Sequence, residues 1–592
     1  MTLDQGLLFG LLAIVFVLLI WGRWRYDLVA FVALLAAVLM GLVPSGEAFS
    51  GFGHPATIII ALVLIVSRGL SNSGVIEYLG RVLIDPARRP GSHIAIMSGL
   101  AASLSAVMNN VAALALLMPL DMQAAKKAAR SAALTLMPLS FASILGGMIT
   151  LIGTPPNIVV AEYRNDALGS PFGMFDFAPV GLACAVVGVA YVALVGWRLL
   201  PADRKTSDAA ADLFDLGDYI AEVRVPEGSP VIGLKVRDLD EDAVRADVDV
   251  VGLVRRGQRL PGLARAVEIR ANDKLVIEAA PDALEELLGA LKLEYVGRGQ
   301  GMLQDDELTL AEVVVQDSSS LAGKSAMDVR LLYRHRIALV GVSRAGARIR
   351  EQVRKLKLKA GDVLLLLGEE QRLGDVSRRL GLLPLADRGQ RIILREKVWL
   401  AVGLFGLAIA AASFGLVYLP VGLGFVAAAY VLLNIVPIRD VYDAVEWPVI
   451  VLLGSMIPLG SALQSTGGTE LIASGIVALA GGLPPIAILA VLIAVTMTLS
   501  DVMNNTATAV IAAPVAVEIA HRLGVNPDSF LMGVAVAASC AFLTPIGHKN
   551  NTLIMGPGGY SFGDYWRMGL PLEILIVVVS VPAIAVFWPL TG

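Results

Sequence analysis

The chain has 592 residues, of which 56% are hydrophobic and 17% are charged, and its mean hydropathy is +0.72. This composition excludes a soluble globular domain and predicts an integral membrane protein. The formal net charge of -4 gives no indication of nucleic-acid binding. Two cysteines, Cys184 and Cys540, are too few for a disulfide framework or a cysteine-based metal site.

Apolar segments fall in two blocks, one before and one after a charged middle region. The first block predicts five membrane spans, of which the fourth is broken at Gly-Thr-Pro-Pro-Asn: about 6–21, 28–44, 56–70, 131–160 and 177–199. The second block predicts the same pattern, with its fourth span broken at Gly-His-Lys-Asn-Asn: about 397–416, 418–436, 447–463, 527–555 and 567–590.

Each block also contains one apolar segment that we expect to be a re-entrant hairpin, about 92–121 in the first and 484–520 in the second. Basic residues such as Arg89 and Lys127 flank the first segment, so both of its ends are expected on the cytoplasmic side. With five crossings per block, the second block is inverted and its hairpin opens from the opposite side. The predicted fold class is a polytopic α-helical membrane protein with an inverted repeat of five spans and one hairpin per half.

Polar motifs recur at matching places in the two blocks. Val107-Met108-Asn109-Asn110 recurs 395 residues later as Val502-Met503-Asn504-Asn505, and the stretch Thr150–Asn157 is matched 394 residues later by Thr544–Asn551. Polar groups in hydrocarbon need partners, because each unsatisfied group there costs several kcal/mol. Interrupted segments at corresponding positions of two membrane halves indicate the midplane binding site of a transporter.

The middle region has the composition of a soluble insert, and we expect residues 203–394 to be cytoplasmic. It repeats internally, with Asp273 recurring as Asp362, and its β-type runs predict two small α+β modules. The predicted elements are the strands Val248–Val254, Leu275–Ile277, Ile337–Val342 and Val363–Leu367 and the helices Pro281–Leu291 and Gln371–Leu380. The predicted domains are a first membrane repeat, 1–202, two insert modules, 203–298 and 299–394, and a second membrane repeat, 395–592.

These motifs resemble a known family. Asn504-Asn505-Thr506-Ala507-Thr508-Ala509 resembles the Ser-Asn-Thr-Ala-Thr signature of the divalent-anion:sodium symporters (the solute carrier thirteen-like group), within the ion-transporter superfamily that also holds arsenite permeases. Leu151–Asn157 is similar to the signature of that family's first half. The runs Thr544–His548 and Gly556–Tyr560 look like the branch with soluble inserts, and each insert module resembles a TrkA C-terminal (RCK-C) domain.

The resemblance implies an elevator-type secondary transporter of a bacterial-type inner membrane, a homodimer in a lipid bilayer. In the family, hairpin tips and broken-helix loops hold the anion and the coupling sodium ions. Carried over onto this sequence, the implied substrate-binding residues are Asn109, Asn110, Val111, Thr154, Pro155, Asn504, Asn505, Thr506, His548 and Lys549. The residues implied for cation binding or coupling are Asn109, Gly153, Asn157, Asp501, Asn504, Thr508, Thr544 and Gly547.

Two features depart from the family pattern. The first hairpin tip carries Val111 where the second carries Thr506, so a hydroxyl is lost, and a compact oxyanion such as sulfate is favoured over a dicarboxylate. Lys549 stands near the expected bilayer midplane, where a lysine costs about 2.5–3.5 kcal/mol on insertion scales and needs a partner. Asp501 is the nearest candidate. The alternatives are that Lys549 binds the anion, replaces a bound cation, or reaches the membrane interface.

The sequence contains no Walker-type phosphate loop, nucleophilic triad or zinc-ligand spacing, and so it predicts no enzyme and no cofactor beyond a coupling sodium ion. The favoured function is import of a small divalent anion, sulfate first and dicarboxylate next, coupled to a sodium or proton gradient. A sodium/proton antiporter or an arsenite-type permease is the first alternative, and a ligand-gated channel or sensor is the alternative of another class. By its resemblance, the insert is expected to dimerise or to bind a regulatory nucleotide.

Overall fold

The structure is a computed structural model, and the residues that it describes are 2–21, 24–73, 89–128, 130–201, 220–239, 249–255, 258–259, 267–278, 288, 291–298, 309–317, 319–335, 337–344, 347–349, 355–368, 370–385, 397–479 and 482–591. The chain divides into two compact units. The helical unit comprises Met1–Thr206, Gln390–Ile554 and Tyr560–Gly592. The sheet unit comprises Ser207–Gly389 and Met555–Gly559.

The first half of the helical unit consists of apolar helices, several of which begin at a proline. Pro55, Pro90 and Pro155 each occupy the first turn of a helix, where the missing N–H costs no helical hydrogen bond. The helices described in this half are α1 (Leu3–Trp21), α2 (Tyr26–Leu39), α3 (Pro55–Asn72), α4 (Pro90–Ser105), α5 (Asn110–Lys127), α6 (Ala133–Gly147), α7 (Pro155–Leu168) and α8 (Ala178–Leu194).

The sheet unit contains two five-stranded antiparallel sheets. The first is formed by β1 (Ile220–Arg224), β2 (Asp249–Arg255), β3 (Gln258–Arg259), β4 (Lys274–Glu278) and β5 (Glu294–Arg298), in the order β3-β2-β4-β1-β5. The second sheet is formed by β6 (Thr309–Val315), β7 (Ala338–Arg344), β8 (Ala347–Ile349), β9 (Val363–Gly368) and β10 (Leu382–Pro384), in the order β10-β6-β9-β7-β8, with helices α9 (Leu331–His335) and α10 (Glu370–Leu380).

The two sheets have the same strand order when the second is read in the opposite direction: β8, β7, β9, β6 and β10 correspond to β3, β2, β4, β1 and β5. The sheets also share an internal ion pair. Arg255 Nε donates to Asp273 at 2.8 Å, and 89 positions later Arg344 Nε donates to Asp362, also at 2.8 Å. Both carboxylates are buried, and in each pair the hydrogen bond from arginine to aspartate raises the pKa of the arginine. The strand predictions coincide with β2, β4, β7 and β9, whereas Pro281–Leu291 lies largely outside the described residues.

The second half of the helical unit is also built from helices. Its described helices are α11 (Val398–Ser413), α12 (Leu419–Leu432), α13 (Ile438–Ala444), α14 (Trp447–Ser465), α15 (Gly468–Leu479), α16 (Pro485–Val502), α17 (Asn505–Leu523), α18 (Pro527–Ser539), α19 (Lys549–Met555) and α20 (Tyr565–Phe587). Helix α15 has 12 residues, which are too few to span a bilayer, and it is not among the spans predicted from the sequence.

Several helices of the helical unit have the length and composition of membrane spans. Among the described residues, five segments qualify by both criteria: Ser50–Asn72, Trp447–Ser465, Pro485–Val502, Asn505–Leu523 and Phe562–Phe587. Shorter apolar helices, including α1, α2, α8, α11 and α12, accompany them. The chain is therefore a multi-pass membrane protein.

The helices pack in two groups. The outer group contains α1, α2, α3, α11, α12 and α14. The site group contains the first hairpin (α4 and α5), the first broken helix (α6 and α7), the second hairpin (α16 and α17), the second broken helix (α18 and α19), α8 and α20. The groups meet where α3 packs on α5 and α7, and where α14 packs on α17. Helix α15, which we assign to neither group, packs on both α14 and α17.

Candidate functional site

Both broken helices are interrupted by an irregular loop whose carbonyl groups are satisfied by one asparagine each. Asn157 Nδ2 donates to the carbonyl oxygen of Thr150 at 2.9 Å, and Asn551 Nδ2 donates to that of Thr544 at 3.1 Å. The two asparagines are 1% and 0% exposed. Carbonyl groups freed at a helix end in hydrocarbon require internal donors, and these amides supply them.

Each broken-helix loop lies directly on the hairpin of its own half. The Thr150 hydroxyl donates to the carbonyl oxygen of Ala106, and the Thr544 hydroxyl donates to that of Asp501 at 2.6 Å. A Cβ atom at Gly153 would lie 2.9 Å from the carbonyl oxygen of Ser105, and one at Gly547 would lie 2.9 Å from that of Asp501. Glycine is therefore required at both positions by the close approach of two backbones.

The two hairpin tips begin their second helices with the same cap. Asn109 Oδ1 accepts from the N–H of Val111 at 2.8 Å, and Asn504 Oδ1 accepts from the N–H of Thr506 at 2.9 Å. An asparagine in this position satisfies a backbone donor that the helix leaves free. The side-chain oxygens of Asn109 and Asn504 are therefore already engaged in hydrogen bonds within their own tips.

The next asparagine of each tip is held by a serine at the end of the preceding helix. Ser105 Oγ donates to Asn110 Oδ1 at 2.7 Å, and Ser500 Oγ donates to Asn505 Oδ1 at 3.1 Å. Asn110 is 3% exposed, whereas Asn505 is half-buried. The amide of Asn505 is therefore the more accessible of the two.

Polar contacts across the molecule join the first half to the loop of the second. Asn550 Nδ2 donates to the backbone carbonyl of Asn110 at 3.2 Å and to Ser143 Oγ at 2.6 Å. Ser140 Oγ donates to Asn551 Oδ1 at 2.9 Å. The first hairpin, the first broken helix and the second loop therefore form one buried polar network.

His548 belongs to this network and is buried. Its Nδ1 accepts from the N–H of Asn550 at 3.1 Å, and its Nε2 lies 3.4 Å from the side-chain amide of Asn110. Asn110 Oδ1 already accepts from Ser105, so it is the Nδ2 group of Asn110 that faces the ring. The imidazole therefore has a polar neighbour in each half and lies between the two half-sites.

Two acidic side chains meet at the break of the second broken helix. Asp501 Oδ1 accepts from the N–H of Leu543 at 2.9 Å, and Glu573 Oε1 accepts from the N–H of Phe542 at 3.3 Å. Asp501 is 2% exposed, and its Oδ2 has no hydrogen-bond donor among the described residues. The N–H groups of Phe542 and Leu543 are neighbours along the backbone, so they hold two buried acids close together. Like charges in a buried place disfavour ionisation of both groups, so such a pair favours the retention of one proton.

The pairing of Lys549 with Asp501, the first of the alternatives from the sequence, is not formed among the described residues. Lys549 Nζ instead donates to Oε2 of Glu446. Glu446 lies 103 positions earlier in the chain and immediately precedes α14. Asp501 accepts hydrogen bonds from Leu543 and Thr544 at the break in the second broken helix. The physical reason for the error is that the partner is non-local: no periodicity or motif connects Glu446 with the polar loop.

The remaining predicted site residues support their own helices. Thr154 precedes α7 as its cap residue and is buried, and Pro155 is the first residue of that helix. The Thr508 hydroxyl donates to the carbonyl oxygen of Asn504 at 3.2 Å, within α17.

Several residues of the network were not predicted. Ser105 and Ser500 stand 395 positions apart, so extending the repeat comparison by a few residues would have found them. Glu573 is an acidic residue inside an apolar span, which is itself a signal of function.

Comparison with known proteins identifies relatives over the whole chain. Residues 16–521 and 470–591 match the citrate transporter family, CitMHS. The chain is 32% identical to Uncharacterized transporter sll0640 of Synechocystis, over 98% of this chain and 96% of that protein. It is also 32% identical to Uncharacterized transporter YfbS of Escherichia coli, over 98% of both chains. Sodium/sulfate cotransporter 2 of Chlamydomonas reinhardtii is 20% identical, over 98% of this chain and 89% of that protein.

The matched asparagines yield a first prediction. Asn157→Ala and Asn551→Ala each leave buried carbonyl groups without a donor, and each is expected to lower the free energy of unfolding by about 1–3 kcal/mol. Chemical unfolding of the purified protein measures this loss. Asn165→Ala, on α7, is the control, because its side chain makes no hydrogen bond among the described residues. A neutral effect of either test substitution would contradict the equivalence of the two breaks.

Proposed function

Since this chain belongs to the citrate transporter family, CitMHS, we propose that it is a secondary active transporter that imports a small multivalent anion at the expense of a cation gradient. It is a membrane transporter and not an enzyme, as its family and relatives indicate. The observation that carries the proposal is the meeting of two hairpin tips and two broken-helix loops in the site group. Backbone groups at such interrupted helices suit both an anion and a cation.

Sulfate is the first substrate candidate, and a citrate-type or smaller carboxylate is the second. The tips offer few hydroxyl groups, because Val111 stands where the other tip has Thr506. Asn505 and Lys549 are partly accessible donors of the second half-site. A small number of donors suits a compact oxyanion better than a long substrate. The family's name supports a carboxylate, and the name of one relative supports sulfate.

A proton is the coupling ion that we favour, with sodium as the alternative. The support is that Asp501 and Glu573 accept from neighbouring backbone N–H groups, so a proton retained by this pair of acids would be bound next to the broken-helix loop. If sodium is the coupling ion, the loop oxygens around Thr544 and Gly547 would hold it in the second half-site, and those around Gly153 and Asn157 in the first. Both ions act on the same two loops, so both suit a gradient-driven carrier.

The proposed architecture is an inverted repeat with an elevator-type movement of the site group against the outer group. The support is that the hydrogen bonds of the first hairpin and loop recur in the second, 394 or 395 positions later. We place the chain in a bacterial inner membrane as a homodimer, with residues 203–394 in the cytoplasm as two RCK-C-like domains. A nucleotide that binds these domains would regulate transport.

Uptake into proteoliposomes tests the proposal. We expect radiolabelled sulfate or citrate to accumulate above its external concentration when an inward proton or sodium gradient is imposed, and to stop accumulating when an ionophore dissipates that gradient. Protein-free liposomes are the control. Sodium flux without anion flux would favour an antiporter, arsenite uptake alone would favour an arsenite-type permease, and downhill flux alone would favour a channel.

A substitution at Glu573 distinguishes the two coupling ions. Glu573→Gln retains a group that can accept from Phe542 and donate to Asp501, so it imitates the protonated acid but cannot release a proton. We expect uptake driven by a proton gradient to fall to the level of protein-free liposomes, while anion exchange across the membrane persists. Glu518→Gln is the control, because Glu518 pairs with Arg522 on α17. Unchanged proton-driven uptake by Glu573→Gln would contradict the assignment and favour sodium.

A further inference from the structure

The ion pair between Lys549 and Glu446 connects the two helix groups beside the candidate site. Lys549 is the first residue of α19 in the site group and follows His548, whose ring contacts Asn110. Glu446 immediately precedes α14 of the outer group. The side chains of Lys549 and Glu446 are 26% and 27% exposed, so the pair is partly shielded from solvent and still reachable from it.

We infer that Glu446 is an internal competitor for the transported anion, whose carboxylate occupies the Lys549 ammonium group until a substrate anion displaces it. This inference rests on the proposed function. Glu446 then lowers the affinity of the site for the anion. When an anion fills the site and displaces Glu446, the contact between the two helix groups is lost.

The chemistry of the pair supports this role. A lysine in a membrane protein needs a negative partner, because its unpaired charge is costly there. A carboxylate and an oxyanion offer the same kind of acceptor oxygen to the ammonium group. One ammonium group neutralises one negative charge, so a substrate anion that arrives while Glu446 is in place meets like-charge repulsion. Occupation by Glu446 and occupation by substrate therefore oppose each other.

The competition between Glu446 and the substrate anion also affects the contact between the two helix groups. The Lys549–Glu446 contact holds the second broken helix to the start of α14, so its loss on anion binding removes a link between the two groups. A second pair also crosses between the groups: His54 Nε2, at the start of α3, lies 3.2 Å from Asp166 Oδ2 on α7. Among the described residues, neither His54 nor Asp166 forms a hydrogen bond with the buried polar network around His548. The second pair therefore provides a matched comparison for breaking a link without freeing a site residue.

Anion binding to the purified full-length protein tests the inference, with radiolabelled sulfate and citrate as the probes. We expect Glu446→Gln to bind its anion about five- to tenfold more tightly than the wild type, the size of a typical coupling between sites. Asp166→Asn is expected to leave the affinity unchanged, and Lys549→Gln to lower it. In the Lys549→Gln background, Glu446→Gln is expected to give no gain, because the competition is then absent.

The sign of the change decides between competition and a purely structural pair. If Glu446 merely positions Lys549, its removal lowers anion affinity, and that result in a folded Glu446→Gln protein would overturn the inference, as would an unchanged affinity. If Glu446→Gln does not fold, Glu446→Asp, with its shorter reach, is expected to bind more tightly, and no gain there overturns the inference equally. Wild-type protein that binds neither probe contradicts the proposed function as well, whereas wild-type binding without a gain contradicts the inference alone.

Discussion

The constraint on which this molecule depends is that unwound backbone inside a membrane protein must find its hydrogen bonds within the protein. Two asparagines, Asn157 and Asn551, meet that requirement by donating to the carbonyl groups of the two broken-helix loops. Once the breaks are stabilised in this way, each loop can lie against its hairpin, and glycine at 153 and 547 permits the contact. The polar centre of the protein is thus built from satisfied backbone, with few side-chain groups left over for a ligand.

The two half-sites share their backbone design and differ in charge. Thr544 donates to the carbonyl group of Asp501, where its counterpart Thr150 donates to that of Ala106, so the same contact carries an acid in one half only. Lys549 likewise stands where the first half has Pro155. The charged side chains of the candidate site therefore lie in the second half. The first half contributes neutral amide and hydroxyl groups through Asn110 and the serines of its broken helix. A backbone scaffold that is repeated in the two halves can in this way hold a site whose side chains differ between them.

Local features of this fold were predictable from sequence, and non-local pairings were not. The helix breaks and the hairpin tips follow from polar and Gly/Pro residues in apolar runs, and their recurrence at a fixed offset reveals the paired half-sites. The contact of His548 with Asn110 joins residues 438 positions apart, and that of Lys549 with Glu446 joins residues 103 apart, so only the folded chain identifies the partners. The error on Asp501 has the same origin, since its hydrogen-bond donor is Leu543, 42 positions away.

In the proposed inverted repeat, the two hairpin tips reach one site from opposite sides of the membrane. Val107 and Val502 occupy equivalent positions at these tips and are 42% and 40% exposed, whereas both native cysteines are buried. A single cysteine at each position, Val107→Cys or Val502→Cys, can be treated with a membrane-impermeant thiol reagent in right-side-out and inside-out vesicles. We expect labelling of Val107→Cys from the cytoplasmic side and of Val502→Cys from the opposite side of the membrane. Labelling of both from the same side would contradict the inverted repeat.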